Sequence, residues 1–515
     1  MSGNLFDLLR SHVPAPEKAL LELADGRRLS YGDALAWSGR VANILVLRGV
    51  EPGDRVAVQV EKSPEALILY LAALRAGAVY LPLNTAYTFA ELEYFLCDAE
   101  PKVVVCDPAK RAGIEAIARK CGVAAVEALD ASGHGSLGEA AAGAPADFAD
   151  VPRRESDLAA ILYTSGTTGR SKGAMMTHRN LASNARTLAK AWRFSARDVL
   201  LHALPIYHTH GLFVATNVMM IAGGSMLFLP RFDPDEVLRL LPRASTMMGV
   251  PTFYVRLLQH RGLDRARCAH MRLFISGSAP LLAETQREFL ARTGHAILER
   301  YGMTETGMNT SNPYEGERIA GTVGFPLPGV EIRVTDPETG KVLLNGEVGV
   351  IEIRGPNVFA GYWRMPEKTA AEFHDGFFVS GDLGKIDERG YVSIVGRDKD
   401  LIITGGFNVY PKEIETEIDA LPGVVESTVI GVPHPDFGEG VTAVVVKDKG
   451  ANLTEQSILS ALEGRLAKFK LPKRVIFVDD SPRNAMGKLQ KNILRDRYAE
   501  IYGGAVRGEA SEASA

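Results

Sequence analysis

The sequence predicts an α/β protein, with a large N-terminal domain of layered α/β sheets followed by a small C-terminal α+β domain. Through the first 400 residues, short apolar runs alternate with helix-length amphipathic ones, the pattern of sheets layered with helices. From residue 347 onward, short strand candidates crowd between Gly, Asp and Asn turns, and the last hundred residues again read as a compact unit. A length of 515 residues accommodates one large domain plus a small one.

Taken in order, residues 55–61 read as a strand leading into a helix over 64–76, with Gly77 as its stop and a strand over 79–83 behind it. Residues 103–107 are a further buried strand, followed by a helix over 112–120. The stretch 128–157 is rich in Ala, Gly, Ser, Asp and Pro and reads as a surface connection. Strands are expected over 347–355, 377–382, 391–396 and 400–404. A helix over 412–420, strands over 424–432 and 441–447, and a helix over 454–466 complete the C-terminal unit. The boundary falls near 396–400, giving domains 1–397 and 398–515. The tail 503–515 lacks apolar periodicity and is expected to fray, and there is no internal repeat.

Hydrophobic residues make up 46% and charged residues 23% of the chain, enough apolar content for a sizeable core. Lys and Arg number 58 against 62 Asp and Glu, a net charge of −4 that points to neither nucleic acid nor a membrane surface as partner. The four cysteines, Cys97, Cys106, Cys121 and Cys268, are scattered without a CxxC pair, so neither a disulfide framework nor structural zinc is expected, and a reducing compartment suits them. The N-terminus lacks the charged-then-apolar layout of a signal peptide. The longest apolar stretches, 66–83 and 215–230, are interrupted by Arg75 and Pro82 and by Asn217 and Gly223–Gly224, short of the roughly 20 clean residues that span a bilayer. A soluble cytoplasmic protein is expected.

The strongest local signal is Tyr163-Thr-Ser-Gly-Thr-Thr-Gly-Arg-Ser-Lys172-Gly173, entered from an apolar strand over 158–162. Gly166 and Gly169 let the backbone turn its N–H groups toward an anion. Thr164, Ser165, Thr167 and Thr168 add hydroxyl donors, and Lys172 adds a point charge. The spacing of glycines and lysine is not that of a Walker loop. A bare Gly/Ser loop would read as flexible; the buried strand before it and the lysine within it favour phosphate binding.

These residues resemble the phosphate loop of the adenylate-forming superfamily, which includes acyl- and aryl-CoA synthetases, luciferases and peptide-synthetase adenylation domains. Four further segments agree in order: Tyr301-Gly-Met-Thr-Glu305, Ser380-Gly-Asp382, Gly396-Arg397…Asp400 and Pro482-Arg-Asn-Ala-Met-Gly-Lys488. Ser171 departs from the proline of many members. The resemblance implies ATP, Mg2+ and coenzyme A as co-reactants, and a small C-terminal domain that is mobile. It makes Glu305 a magnesium ligand, with Thr304 donating to a phosphate oxygen. Asp382 and Arg397 become ribose and phosphate contacts, and Gly277, Ser278, Ala279 and Glu299 line the nucleotide site. The same residue types suit the chemistry: in-line attack on an α-phosphate needs groups that neutralise charge on its oxygens. A carboxylate after a tight turn can accept from both ribose hydroxyls, as acidic residues do in other nucleotide sites.

The resemblance further implies that Lys488 reaches the α-phosphate during adenylation only. The small domain would pivot at Lys399, and Gly405 and Gly406 would line the pantetheine tunnel. Because Lys488 must be reachable in one domain orientation, acetylation would remove the charge it needs, so a lysine acetyltransferase and a deacetylase are candidate partners.

For the acid, the segment Leu204-Pro-Ile-Tyr-His208-Thr-His210-Gly211 carries a histidine, His208, that the resemblance places beside the reacting carboxylate. Pro251 opens a helix in which Phe253 and Leu257 are four apart, and Arg256 is expected to point toward buried surface. From the pattern alone it is either a structural or snorkelling arginine or the bidentate anchor of a second substrate carboxylate. The strings PTFYxR, SGSAPL (276–281) and ERYGMTETxMNTSNPY (299–314) look close to the malonyl-CoA synthetases, which implies malonate or methylmalonate as substrate. By that resemblance Arg256 takes the distal carboxylate, and Ser276, Met303 and Met308 wall the pocket. A ligase for another short acid, a module that loads a carrier protein, and a non-catalytic nucleotide binder are the competing readings.

Overall fold

The computed structural model describes residues 2–164, 171–404, 407–463, 465–466, 468–484 and 489–502. Their packing divides the chain into two compact units, one of residues 2–332 with 353–379, the other of 333–352 with 380–502. Packing thus groups 333–352 and 380–397 with the C-terminal residues, whereas the change in sequence texture put the boundary near 396–400. The fold is the mixed α/β one expected.

The first unit holds a six-stranded and a nine-stranded sheet. In the six-stranded sheet, β1 (Arg55–Gln59) pairs in parallel with Val79–Pro82 on one side and Val103–Cys106 on the other. Between the first two, Ser63 caps and Pro64 opens the helix Pro64–Arg75, buried from Ala66 to its end. An all-round apolar helix sandwiched in this way needs no amphipathic stripe. At the sheet's other end, β2 (Leu158–Thr164) and β3 (Lys172–Thr177) pair antiparallel, with Thr164 opposite Lys172. The glycine-rich segment is therefore the connection of a hairpin whose two rims are strands.

The nine-stranded sheet supplies the second half of the site. Its strands β4 (Val199–His202), β5 (Thr246–Gly249), β6 (Leu273–Ser276) and β7 (Leu298–Met303) lie side by side and parallel. His202 pairs with Met248, Gly249 with Ser276, and Ser276 with Glu299, so their carboxyl ends come level. In open parallel sheets, that edge is where ligands bind.

In the second unit, the strand Phe377–Ile386 turns back into Val392–Arg397, setting Asp382 opposite Arg397. A further sheet pairs Val424–His434 with Gly438–Lys447 and adds Ile402–Thr404, Phe407–Val409 and Arg474–Val478. The helices Pro411–Asp419 and Glu455–Leu462 pack their apolar residues, Ile414, Ile418, Ile458 and Leu462, into its core.

Two expectations need correction. Residues 128–157 are not only a connection: Leu137 and Ala141 are buried in a short helix, Ser136–Ala142. Its alanine and glycine content hid an apolar pair at helical spacing. The cysteines are not all free either. The helix α1 (Phe89–Ala99) lies beside Arg111–Cys121, bringing Cys97 and Cys121 into a disulfide with Cα atoms 4.7 Å apart, while Cys106 and Cys268 are buried thiols. Sequence spacing cannot reveal a neighbour that exists only when two helices pack. Among the described residues no helix is long and apolar enough to cross a membrane.

Candidate active site

Of the phosphate-loop residues, Ser165, Gly166, Thr167, Thr168 and Gly169 lie outside the described residues, as do Gly405, Gly406 and Lys488. The two rims are described. Thr164 Oγ1 lies 3.4 Å from Glu305 Oε1, which brings the loop's first hydroxyl to the carboxylate of the YGMTE segment. Glu305 is buried at 7% exposure, and its carbonyl accepts the backbone N–H of Phe359 at 2.8 Å. Thr304 beside it is half-buried. Lys172 Nζ is 3.1 Å from Glu372 and 4.1 Å from the centroid of the Tyr362 ring.

The loop rims are braced from α1. Tyr94 donates its hydroxyl to the Ser171 carbonyl at 2.8 Å, and Tyr163 donates its own to Asp98. Burial and that carboxylate both raise the Tyr163 phenol far above its usual range, so it stays a donor.

No group of three or more His, Cys, Asp and Glu side chains among the described residues could hold a metal by itself. Glu305, one buried carboxylate beside a phosphate loop, nevertheless fits magnesium. That ion demands hard oxygens and takes one or two carboxylates, completing its shell with water and substrate phosphates.

At the level ends of β4 to β7, the segments that leave the strands converge. After β4, residues 204–209 lead into a π-helix, His210–Thr216. Such turns are rare and often mark functional sites. His208 is half-buried, and its Nδ1 accepts the His210 backbone N–H at 3.3 Å. After β6, Gly277 is buried, and Ser278 adopts φ +72°, a left-handed conformation unusual for serine. Ala279 follows, half-buried. Glu299 on β7 accepts the Leu281 backbone N–H at 3.0 Å, which closes this turn. Met308 and Ser276 are buried and Met303 is half-buried, and Met308 donates its N–H to Asn184 at 3.1 Å.

Arg256 is not where its pattern placed it. On α2 (Pro251–Gln259) the buried residues are Tyr254, Leu257 and Leu258, and Arg256 is exposed. The reason is helical phase: Arg256 is two residues from both Tyr254 and Leu258, about 200° round the helix from each. Phe253 lies at the flank of the buried face and misleads as its marker.

The interior cation is Arg300. It is only 2% exposed, and its Nε and Nη2 find no hydrogen-bond partner among the described residues. A Cβ on Gly277 would come within 2.5 Å of its guanidinium carbon, so only glycine lets the group lie against that turn. Burial pushes Arg300 down to about 9. The Glu299 carboxylate next to it in sequence offsets part of the charge, yet donors left open in a protein interior are costly and suit a further anion.

Its neighbour His210 is also buried. Its Nδ1 is 3.3 Å from Ser278 Oγ, and its Nε2 has no partner among the described residues. Burial first, then the charge of Arg300, holds His210 well below the usual range, so it is neutral. Behind it, buried Lys62 lies 2.9 Å from His202 Nδ1 and 2.8 Å from the His202 carbonyl. His202 Nε2 in turn meets the Gly211 carbonyl at 2.9 Å. That chain fixes the start of the π-helix.

Sequence reasoning passed over Arg300, His210 and Lys62. Arg300 stood inside the quoted string ERYGMTE, but only the position of β7 in the sheet buries it.

In the second unit the two expected nucleotide contacts meet. Arg397 Nε is 2.6 Å from Asp382 Oδ1, and Asp382 is 3% exposed. Ser380 and Gly381 do not close a turn at a strand end as expected but lie within the strand Phe377–Ile386, where Gly381 takes φ +66° and Ser380 Oγ donates to the Ile351 carbonyl at 2.6 Å while accepting the Asp382 N–H. Lys399 is exposed in a 3-10 turn, Asp398–Asp400, pinned by Arg495 on Asp400 at 2.5 Å.

These parts match a known family. The family model described as AMP-binding enzyme matches residues 11–363, and the AMP-binding enzyme C-terminal domain matches residues 413–488. The chain belongs to the AMP-binding enzyme family. Within the family, it is similar to ATP-bound MatB from Rhodopseudomonas palustris, at 67% identity and a TM-score of 0.96, over 98% of this chain and 100% of that one. It is also 36% identical to a feruloyl-CoA synthase of Amycolatopsis sp over 92% of this chain and 94% of that one. A malonate–CoA ligase of Arabidopsis thaliana is 33% identical over 96% of this chain and 89% of that one. The relatives are named for acids as different as ferulate and malonate, so membership of the family does not by itself fix the acid.

Proposed function

We propose that the protein is an ATP-dependent malonate–CoA ligase. The observation that carries the acid is Arg300, a buried guanidinium with unpartnered donors at the edge where β4 to β7 end. A ligase for long-chain acids would line that interior with apolar groups, because an unpaired cation there is costly. A short dicarboxylate supplies the missing anion. Similarity to MatB and to a malonate–CoA ligase supports this reading.

The reaction runs in two steps. One malonate carboxylate attacks the α-phosphorus of ATP in line, forming malonyl-adenylate and releasing pyrophosphate. The thiol of coenzyme A then attacks the acyl carbon, loses its proton, and AMP leaves with the electron pair of the broken acyl–oxygen bond. In this reading the phosphate loop and Lys172 hold the β- and γ-phosphates, and Thr304 donates to a phosphate oxygen. Magnesium, held by Glu305, would supply charge neutralisation on the phosphates. Ser276, Gly277, Ser278, Ala279 and Glu299 shape the floor between nucleotide and acid. Arg300 binds the distal carboxylate from inside, Arg256 contacts it from the exposed side, and Met303 and Met308 limit its length. His208 and neutral His210 approach the reacting carboxylate without adding a repelling or competing charge.

Asp382 and Arg397 hold the ribose, Lys399 is the hinge, Gly405 and Gly406 line the thiol's path, and Lys488 acts on the α-phosphate. A lysine acetyltransferase acting on Lys488 would switch the first step off.

Pyrophosphate release with ATP, magnesium and coenzyme A, measured across acetate, malonate, methylmalonate, succinate, oxalate and octanoate, tests the assignment. The expected result is a malonate optimum, methylmalonate next, and acetate and octanoate far behind. A monocarboxylate optimum would remove the dicarboxylate reading while leaving the ligase.

Arg256→Ala gives a graded check. An exposed charge pair contributes about 1 kcal/mol, so kcat/KM for malonate should fall roughly fivefold. A wild-type value would take Arg256 out of the pocket.

A further inference from the structure

The segment 359–363 takes no part in the reading above, yet it clamps two of its principal groups. Tyr362 is 3% exposed. Its hydroxyl lies 2.7 Å from Glu372 Oε2 and 3.2 Å from Glu305 Oε1. Glu372 Oε1 is 3.1 Å from Lys172 Nζ and 2.8 Å from Lys368 Nζ, and Lys172 also sits over the Tyr362 ring.

The backbone around Tyr362 is held on two sides. Trp363 N donates to the Gly173 carbonyl at 2.7 Å, Met175 N to the Gly361 carbonyl at 2.9 Å, and Phe359 N to the Glu305 carbonyl. Tyr362 N donates to Thr369 Oγ1 at 2.9 Å, and the Phe359 ring meets the Tyr362 ring edge-on at 4.8 Å. The phenol cannot move without dragging β3 and the Glu305 backbone with it.

One buried hydroxyl thus stands between two carboxylates that would otherwise drift or repel. One of them carries the phosphate-loop lysine as its counter-ion. We propose that Tyr362 is a positioning residue of the ligase: with Glu372 it sets the Glu305 carboxylate and the Lys172 ammonium in their working places before nucleotide arrives. The proposal rests on the reading that Glu305 faces the divalent cation accompanying ATP. Tyr362 touches neither substrate nor metal in this role. Its hydroxyl acts on Glu305 and its ring on Lys172, which Glu372 also holds. A tethered carboxylate meets a cation with its ordering cost already met, which is how a supporting hydrogen bond tunes a metal ligand.

Tyr362→Phe removes the hydroxyl and keeps the ring, and equilibrium binding of ATP with and without Mn2+, followed by the Mn2+ electron-spin-resonance signal and by calorimetry, separates the roles. In the wild-type chain Mn2+ should tighten ATP binding. In Tyr362→Phe that metal-dependent gain should shrink about tenfold, as expected when the hydrogen-bond partner of a metal ligand is lost, while metal-free ATP binding stays within about twofold because Lys172 keeps Glu372 and the aromatic ring beneath it. Glu305→Gln is the control and should lose the gain outright. If Tyr362→Phe keeps the full gain while Glu305→Gln loses it, the positioning role is wrong and the reading of Glu305 stands. If Glu305→Gln keeps the gain, the reading of Glu305 falls and the proposal with it. Equal weakening of metal-free and metal-dependent binding by Tyr362→Phe would show a merely structural phenol and also overturn the proposal.

Discussion

Lys488→Ala should slow malonyl-adenylate formation on the order of 10²–10³-fold, the usual cost of deleting one group that stabilises transition-state charge. Thioester formation from supplied malonyl-adenylate and coenzyme A should stay within about twofold, because no bond to the α-phosphorus is made or broken in that step and Lys488 is proposed to serve adenylation only. Pyrophosphate release reads the first half-reaction, and malonyl-CoA production from synthetic malonyl-adenylate reads the second. Acetylated Lys488 should behave as the alanine variant does, since acetylation removes the same charge. If both half-reactions fall together, the lysine serves folding or domain closure and its assignment to the α-phosphate is wrong.

Arg300→Met should move activity and stability in opposite directions. Malonate loses the partner of its distal carboxylate, and breaking a buried charge pair costs about 3 kcal/mol or more, so kcat/KM for malonate should drop on the order of 100-fold. That is far more than the effect of Arg256→Ala on the exposed side. The free protein, by contrast, stops burying a guanidinium whose Nε and Nη2 lack partners among the described residues. Methionine fills a similar volume without a charge, so Tm should hold or rise, as when other buried ionic groups are replaced by apolar ones. Kinetics with malonate and acetate, alongside thermal unfolding without substrate, check both. A large loss of Tm with proportional loss on every acid would make Arg300 a structural residue. Selectivity for the dicarboxylate would then have to be sought elsewhere in the pocket.

Much of the site was legible in the linear chain because its chemistry is local. A glycine-rich stretch with hydroxyls and a lysine, entered from an apolar strand, points to anion binding whatever the rest of the fold. The structure places Thr164 and Lys172 opposite one another at its rims. The positive φ at Gly381 and the carboxylate after it were legible for the same reason, although they fall within the strand Phe377–Ile386 rather than in a turn at its end. The layered α/β class also followed from local periodicity, and the helix 64–75 and the strands beside it fall within a residue or two of expectation.

Burial and cross-chain contact were decided only by tertiary structure. Arg256 and Arg300 look alike as sequence, each an arginine near aromatic and apolar neighbours. Helical phase turns the first outward, while the second is buried on a strand flanked by the parallel β6 and the antiparallel Gly307–Ser311, against the Gly277 turn. Cys97 and Cys121 are 24 residues apart and become partners only because two helices lie side by side. Tyr362 and Glu305 are 57 residues apart, and no motif links them; their hydroxyl–carboxylate contact exists because residues 359–363 bond to β3 and to the Glu305 backbone at once. Sequence alone determined which backbone turns can hold phosphate and which side chains can carry charge, since those depend on residues a few positions apart. Which charge is left without a partner in the interior, and so which acid the pocket calls for, depends on what packs around it, and that is a property of the assembled sheets.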